Sequence, residues 1–332
     1  MAKRFVPLSR RRLLRWPAPR ETGLGFLALL AILGMFIFYG SGSFLDGLKQ
    51  EESLHDQVIR QLAELTEAYV NTSEVGLILA TTQSEDLTWL LEYCNEHGAE
   101  TTPFIYTTDP DPDPDLRLLI PRTIRGREAA AYLSFIVDYY DKLPPYSIFI
   151  HSNVNQWHND LFGPLTSTAL RNLRLDAVDA KGYVNLRCKH DPGCPTSVHP
   201  WSPSQVDIEG NDIRAFFPEV YQAILNVGPE KVPDHIGNVC CGQFAVSRER
   251  IRQRPRADYE RMLKWAAETD RTDSFGVGWV YEKIWHIIFG MDDIYCPGYE
   301  QCRCDVYGWC GPLAGTGKTL QAVRAPSRLS ST

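Results

Sequence analysis

The sequence predicts an α/β domain with a mainly parallel sheet flanked by helices, behind a single N-terminal membrane span. Three observations carry this prediction. Apolar runs of strand length alternate with helical patterns from residue 75 to residue 151, the pattern of βαβ units. The runs VGLILATT, PFIYTT and YSIFIH are apolar almost throughout, as strands covered on both faces are. Ahead of them, the uncharged stretch GLGFLALLAILGMFIFY follows a strongly basic head.

The head carries Lys3, Arg4, Arg10, Arg11, Arg12, Arg15 and Arg20 against the single acid Glu21. An excess of positive charge stays cytoplasmic, and about 17 to 25 apolar residues suffice to cross the hydrocarbon core. Residues 1–22 are therefore expected as a cytoplasmic tail and 23–43 as a signal anchor. Residues 44–73 follow as a stem, 74–310 as a luminal α/β domain and 311–332 as a disordered tail. The competing reading is a cleaved signal peptide processed near Ser41, Gly42 and Ser43, but signal cores run about 7 to 15 residues. The expected address is a secretory-pathway membrane, the Golgi above others, in single-pass type II orientation with a luminal C-terminus. Removing the head's net +6 from the whole-chain −7 leaves the remainder at −13, which argues against a nucleic-acid partner.

Residues 54–68 place Leu54, Val58, Leu62, Leu65 and Ala68 near one helical face. The strand 75–82 leads to a helix over 84–97, and the strand 103–108 to an exposed loop in which alternating Asp and Pro forbid both helix and ladder. A helix then buries Ala130, Leu133, Phe135, Ile136 and Tyr140 before Pro144 and Pro145 stop it, and the strand 146–151 follows. Later come a strand over 183–188, a helix over 211–225, a buried strand turning into a helix over 238–251, and a last helix over 275–290.

Ligands in such sheets bind beyond the carboxyl ends of the strands, so the loop HSNVNQWHND after the third strand is the first place to look for chemistry. His151, Asn153, His158 and Asp160 there are candidate ligands for Mn²⁺ or Mg²⁺, and Trp157 can stack on a ring. A turn rich in Asn and Asp is the plainer reading. Glu282 and His286 stand at i and i+4 on the last helix, where a carboxylate among aromatic residues can act as a base. Arg127 opens the helix before the third strand and could hold an anion. GTGKT at 315–319 is not a phosphate loop, because Pro312 stands where the first glycine belongs.

Nine cysteines suit an oxidising compartment. Cys188 and Cys194 bracket a five-residue loop. Cys296, Cys302, Cys304 and Cys310 lie close enough for two disulfides in a knotted loop, preferred over a four-thiolate zinc site. At least one of Cys94, Cys240 and Cys241 is left unpaired. Asn71 heads the one glycosylation sequon.

The stretches GREAAAYLSFIVDYYDKLPPYSIFIHSN, CCGQFAVSRERI with Arg254-Pro255 soon after, and EKIWHIIFG resemble, in order, the family catalogued as domain of unknown function 3431. That resemblance spans about residues 75–290 and implies a fungal source but no activity. A weaker resemblance joins the type II layout, the GQFAVSRERI segment and the late Glu282 and His286 to inverting glycosyltransferases of the GT-A fold. It implies a nucleotide-sugar donor, a glycan or protein acceptor, Glu282 as base, and Gln243 and Arg248 on substrate. His151-Ser152-Asn153 stands where those enzymes carry Asp-x-Asp. The alternatives are a non-catalytic glycan-binding module using Trp157 and Trp201, and a metal-dependent hydrolase using His151, His158, Asp160 and His286.

Overall fold

A computed structural model describes residues 53–311. The tail 1–22, the span 23–43 and residues 312–332 lie outside it, and among the described residues no helix is long and apolar enough to cross a membrane. The order begins α1 (Leu54–Tyr69), β1 (Val75–Thr81), α2 (Thr88–His97), β2 (Thr101–Thr107), α3 (Glu128–Asp138) and β3 (Tyr146–Phe149). It continues with α4 (Thr166–Asn172), α5 (Leu175–Lys181), β4 (Tyr183–Asn185), α6 (Gln205–Glu209) and α7 (Phe217–Leu225). The last elements are β5 (Gly237–Asn238), β6 (Phe244–Ser247), α8 (Arg248–Arg252), α9 (Arg256–Glu268), α10 (Ser274–Ile288), β7 (Ile294–Tyr295) and α11 (Tyr299–Tyr307).

The main sheet has the order β2-β1-β3-β6-β4, and β5 pairs with β7 in a separate two-stranded piece. β1 runs parallel to β2 and β3, whereas β6 is antiparallel to both β3 and β4. The expected mainly parallel sheet is therefore mixed, four strands pointing one way and β6 the other. A parallel neighbour needs a long crossover, but β6 enters from a loop already at the carboxyl end of β3, so it can only descend.

Side chains alternate between two cores, one on each face. Ile78, Phe104, Phe149, Phe244 and Val246 pack under α3, α7, α9 and α10. Leu77, Leu79, Ile105, Ile148 and Ala245 pack under α1, α2, α4 and α5. Covering both faces explains why these strands read as continuous apolar runs. α1, expected within a stem, belongs to the second core: Val58, Ile59 and Leu62 are buried, and Thr66 Oγ1 donates to the Pro103 carbonyl at 2.5 Å.

The first core is aromatic, with Tyr132 and Phe244 in contact with each other and each with both Phe149 and Trp285, at ring separations of 4.9 to 6.0 Å. It brings α10 across the top of α3. There the backbones nearly touch: a Cβ on Gly126, whose φ is +105°, would meet Val277 Cγ1 at 2.9 Å, and one on Gly278 would meet the Gly126 carbonyl at 3.1 Å. Arg125 fixes the junction by donating to the Thr269 and Thr272 carbonyls at 2.5 Å each.

Candidate functional site

β1 connects to β2 on one side and β2 crosses back to β3 on the other, so the sheet order reverses between β1 and β3. Open α/β sheets part at such a point beyond their carboxyl ends. A cleft of about 440 Å³ opens there, lined by residues that include Thr82, Glu85, Arg127, Glu128, His151, Ser152 and Gln156. The volume lies within the range of small-molecule sites, roughly 300 to 1,000 Å³. By contrast, the apolar gap beneath β4 and α11 measures about 20 Å³ and has room for little more than one water.

Glu85 is the most firmly held group in the cleft. Its Oε1 accepts from Ser152 Oγ at 2.5 Å and its Oε2 from the Thr82 amide at 2.8 Å, so one carboxylate ties the end of β1 to the end of β3. The opposite wall is the start of α3, where Arg127 (φ 52°) lays its guanidinium 4.8 Å from the centre of the exposed Phe275 ring. The Gly126 amide donates to Ser274 Oγ at 3.0 Å and so locks this wall to α10.

The loop after β3 makes the third wall. His151 donates from Nε2 to the Cys241 carbonyl at 2.9 Å; a carbonyl only accepts, so Nε2 carries the proton and Nδ1 is the open nitrogen. The His158 ring lies 4.9 Å from that of His151, and burial followed by the His151 charge pushes its pKa down to about 4, against a favourable field from Glu282. Trp157 is 63% exposed even though its loop is tightly held. Asn159 donates to the Pro164 carbonyl and Thr166 Oγ1 at 2.9 and 3.1 Å, and buried Arg187 donates to the Trp157 and His158 carbonyls at 3.1 Å each. A large aromatic side chain presented to water on an over-determined loop is a stacking surface.

The expected metal ligands do not converge. Asn153 accepts from the Asn155 amide at 2.9 Å in an ordinary Asx turn. Asp160 Oδ2 accepts from the Cys188 and Lys189 amides at 3.1 and 2.6 Å; burial raises its pKa, opposed by those bonds. Among the described residues no group of three or more His, Cys, Asp or Glu is arranged to hold a metal. The four residues thus do not fit Mn²⁺ or Mg²⁺.

Gln243 is buried and structural, its Oε1 accepting from the His151 amide at 3.2 Å and its amide donating to Asn159 Oδ1 at 3.2 Å. Arg248 lies at the opposite end of the sheet, donating to the Leu143 carbonyl at 2.6 Å, because antiparallel β6 carries the motif away from the cleft. Glu282 is partly exposed and paired with Lys283 at 2.8 Å. His286 is sealed inside, its Nε2 donating to the Asp293 carbonyl at 3.1 Å and its pKa pushed down to about 4 by burial. Despite sharing a helix face, Glu282 and His286 therefore occupy different environments. Nothing in the sequence singles out Arg187, and Ser152 stands out only as the middle of His151-Ser152-Asn153; Glu85 carries one signal, the polar TTQSE turn at the end of β1.

All six candidate cysteines are paired, but over long range: Cys188 with Cys302, Cys194 with Cys296, and only Cys304 with Cys310 locally. Cys240 pairs with its neighbour Cys241, leaving buried Cys94 as the free thiol. Asn71 is exposed in the turn after α1.

The family described as a protein of unknown function (DUF3431) matches residues 77–305. The chain belongs to that family. Comparison with curated proteins and with solved structures finds no match. The DUF3431 match runs from β1 into α11, so it takes in all three walls of the cleft and both long-range disulfides.

Proposed function

We propose that this DUF3431 domain binds a nucleotide sugar in the cleft between β1 and β3 and transfers the sugar to a glycan or protein acceptor. The observation that carries the reading is the cleft itself, a polar cavity at the switch point walled by Glu85, Arg127, Glu128, His151 and Ser152. Arg127 suits the diphosphate, and hydroxyls and carboxylates suit the sugar. Trp157 offers its face to an acceptor ring, and Glu282, whose field reaches His158, serves as the base that takes the acceptor proton. No step is routed through a metal ion, because His151, Asn153, His158 and Asp160 do not meet at one point. Four disulfides support a lumen as the compartment, with residues 23–43 as the anchor.

A second reading, a glycan-binding module without catalysis, draws on one specific observation: Trp157 is exposed on a hydrogen-bonded loop, while Asn153 and Asp160 are committed to backbone amides. The hydrolase reading would need His286 and Asp160 beside the two loop histidines, and each is committed elsewhere.

The deciding experiment is thermal melting of the detergent-solubilised full chain against nucleoside diphosphates and nucleotide sugars, with and without Mn²⁺. A ligand that binds only the folded state raises the melting temperature. A shift with one nucleotide sugar that Arg127→Ala abolishes is expected; a flat nucleotide panel alongside a shift with oligosaccharides would replace transfer by binding alone.

A further inference from the structure

Outside the cleft, two histidines face each other across a strand-like contact that the functional reading does not use. Val198 and Ile236 form an isolated antiparallel bridge, with the Ile236 amide donating to the Val198 carbonyl at 3.0 Å and the Val198 amide to the Ile236 carbonyl at 3.1 Å. Antiparallel register then sets residue 199 directly opposite residue 235. Both His199 and His235 are exposed. Their Nδ1 atoms are 2.9 Å apart and their rings stand at 88°.

As neutral rings they share a single hydrogen bond, one Nδ1 donating and the other accepting. The same separation meets another requirement. Two metal–nitrogen bonds of about 2.0–2.1 Å span roughly 2.9 Å when they meet at a right angle and roughly 3.3 Å at the tetrahedral angle. Exposed side chains can turn about χ2 at little cost, which moves the two lone pairs from facing each other to converging beside the pair.

We propose that His199 and His235 form a surface site for a divalent transition ion of square-planar or tetragonal preference, Cu²⁺ or Ni²⁺ ahead of Zn²⁺. The protein supplies two imidazole nitrogens. Among the described residues no third His, Cys, Asp or Glu completes the set, so water fills the remaining positions and the ion stays open to a further ligand. Its bond clips the 195–201 segment to the 232–236 segment beside the Cys194–Cys296 disulfide. This proposal stands apart from the cleft and from any sugar transfer.

The test is titration of the tag-free, detergent-solubilised full chain with CuCl₂, followed by calorimetry and by electron paramagnetic resonance. One equivalent is expected, with hyperfine structure from two imidazole nitrogens. His199→Ala and His235→Ala should each weaken binding at least tenfold, whereas His151→Ala leaves it unchanged. Both variants alter exposed side chains, and unchanged melting curves without metal will certify their fold. Equal binding by wild type and both variants, or no stoichiometric binding by wild type, overturns the proposal. Loss of binding in His151→Ala alone moves the ion to the cleft and also overturns it. Tighter binding of Zn²⁺ than of Ni²⁺ refutes the right-angle geometry.

Discussion

Replacing His286 with Gln should flatten the acid side of this protein's stability curve. The wild-type imidazole is fully buried, donates once to the Asp293 carbonyl, and leaves its Nδ1 without a partner, so charging it inside the core is unfavourable. Its folded pKa of about 4 lies below the ordinary 6.5 of the unfolded chain. Between those values the unfolded state binds the proton and the folded state does not, so unfolding is favoured as pH falls. The stabilisation is whole above pH 6.5 and is lost through pH 4. At about 1.4 kcal/mol per tenfold, the full interval amounts to roughly 3 kcal/mol, of which about 2 kcal/mol has gone by pH 5. The assay is urea unfolding from pH 7.5 to pH 4 for wild type and His286→Gln, read as the difference in unfolding free energy. His158 and Asp293 also titrate with shifted pKa values, but in both proteins, so they largely cancel. A wild-type advantage that stays constant from pH 7.5 to pH 4 would refute the reasoning.

Other expectations concern the cleft and its supports. Gln243→Ala removes two of the ties between the segment before β6 and the 151–160 loop and leaves their partners unpaired in a buried setting, at about 1–3 kcal/mol in urea unfolding; a change under 0.5 kcal/mol would show the loop is held by its other bonds. Trp157→Ala should leave the urea midpoint unchanged yet weaken oligosaccharide affinity about fivefold, near 1 kcal/mol, measured by calorimetry; unchanged affinity would remove Trp157 from the site. The double change Cys194→Ala, Cys296→Ala opens a link across 102 residues and should cost about 2–5 kcal/mol under oxidising conditions. An unaltered unfolding midpoint would mean the pair is not formed.

What could be read from the sequence was what depends on local burial. β1, β2 and β3 are covered on both faces, so nearly every position is buried, most are apolar, and the runs announce themselves. Strand direction is not written in that way: GQFAVSRERI reads equally well up or down the sheet, and only the pairing of Tyr146 with Ser247 reveals that Arg248 ends far from the cleft. The helix α9 does not stand out in the sequence although Tyr259, Met262, Leu263 and Ala266 form a regular buried stripe. Its low overall apolarity, with six charged residues in RADYERMLKWAAE, obscured that stripe. In the site, the loop after β3 was legible because its position in the topology was. Glu85 and Arg187 were not, since their importance comes from partners 67 and 29 to 30 residues away.

The cysteine pairing has a consequence for how the chain is made. Cys188 and Cys194 emerge from the ribosome 114 and 102 residues before Cys302 and Cys296. At roughly 5 to 20 residues per second, that leaves each thiol waiting about 5 to 23 seconds beside the other, only six positions away, with no native partner yet synthesised. The easiest early product is the short wrong loop between them, and reaching the native pairs then requires that bond to be exchanged. Maturation should therefore depend on the disulfide-isomerase capacity of the compartment, and chains stopped before residue 296 should accumulate with the 188–194 bond in place.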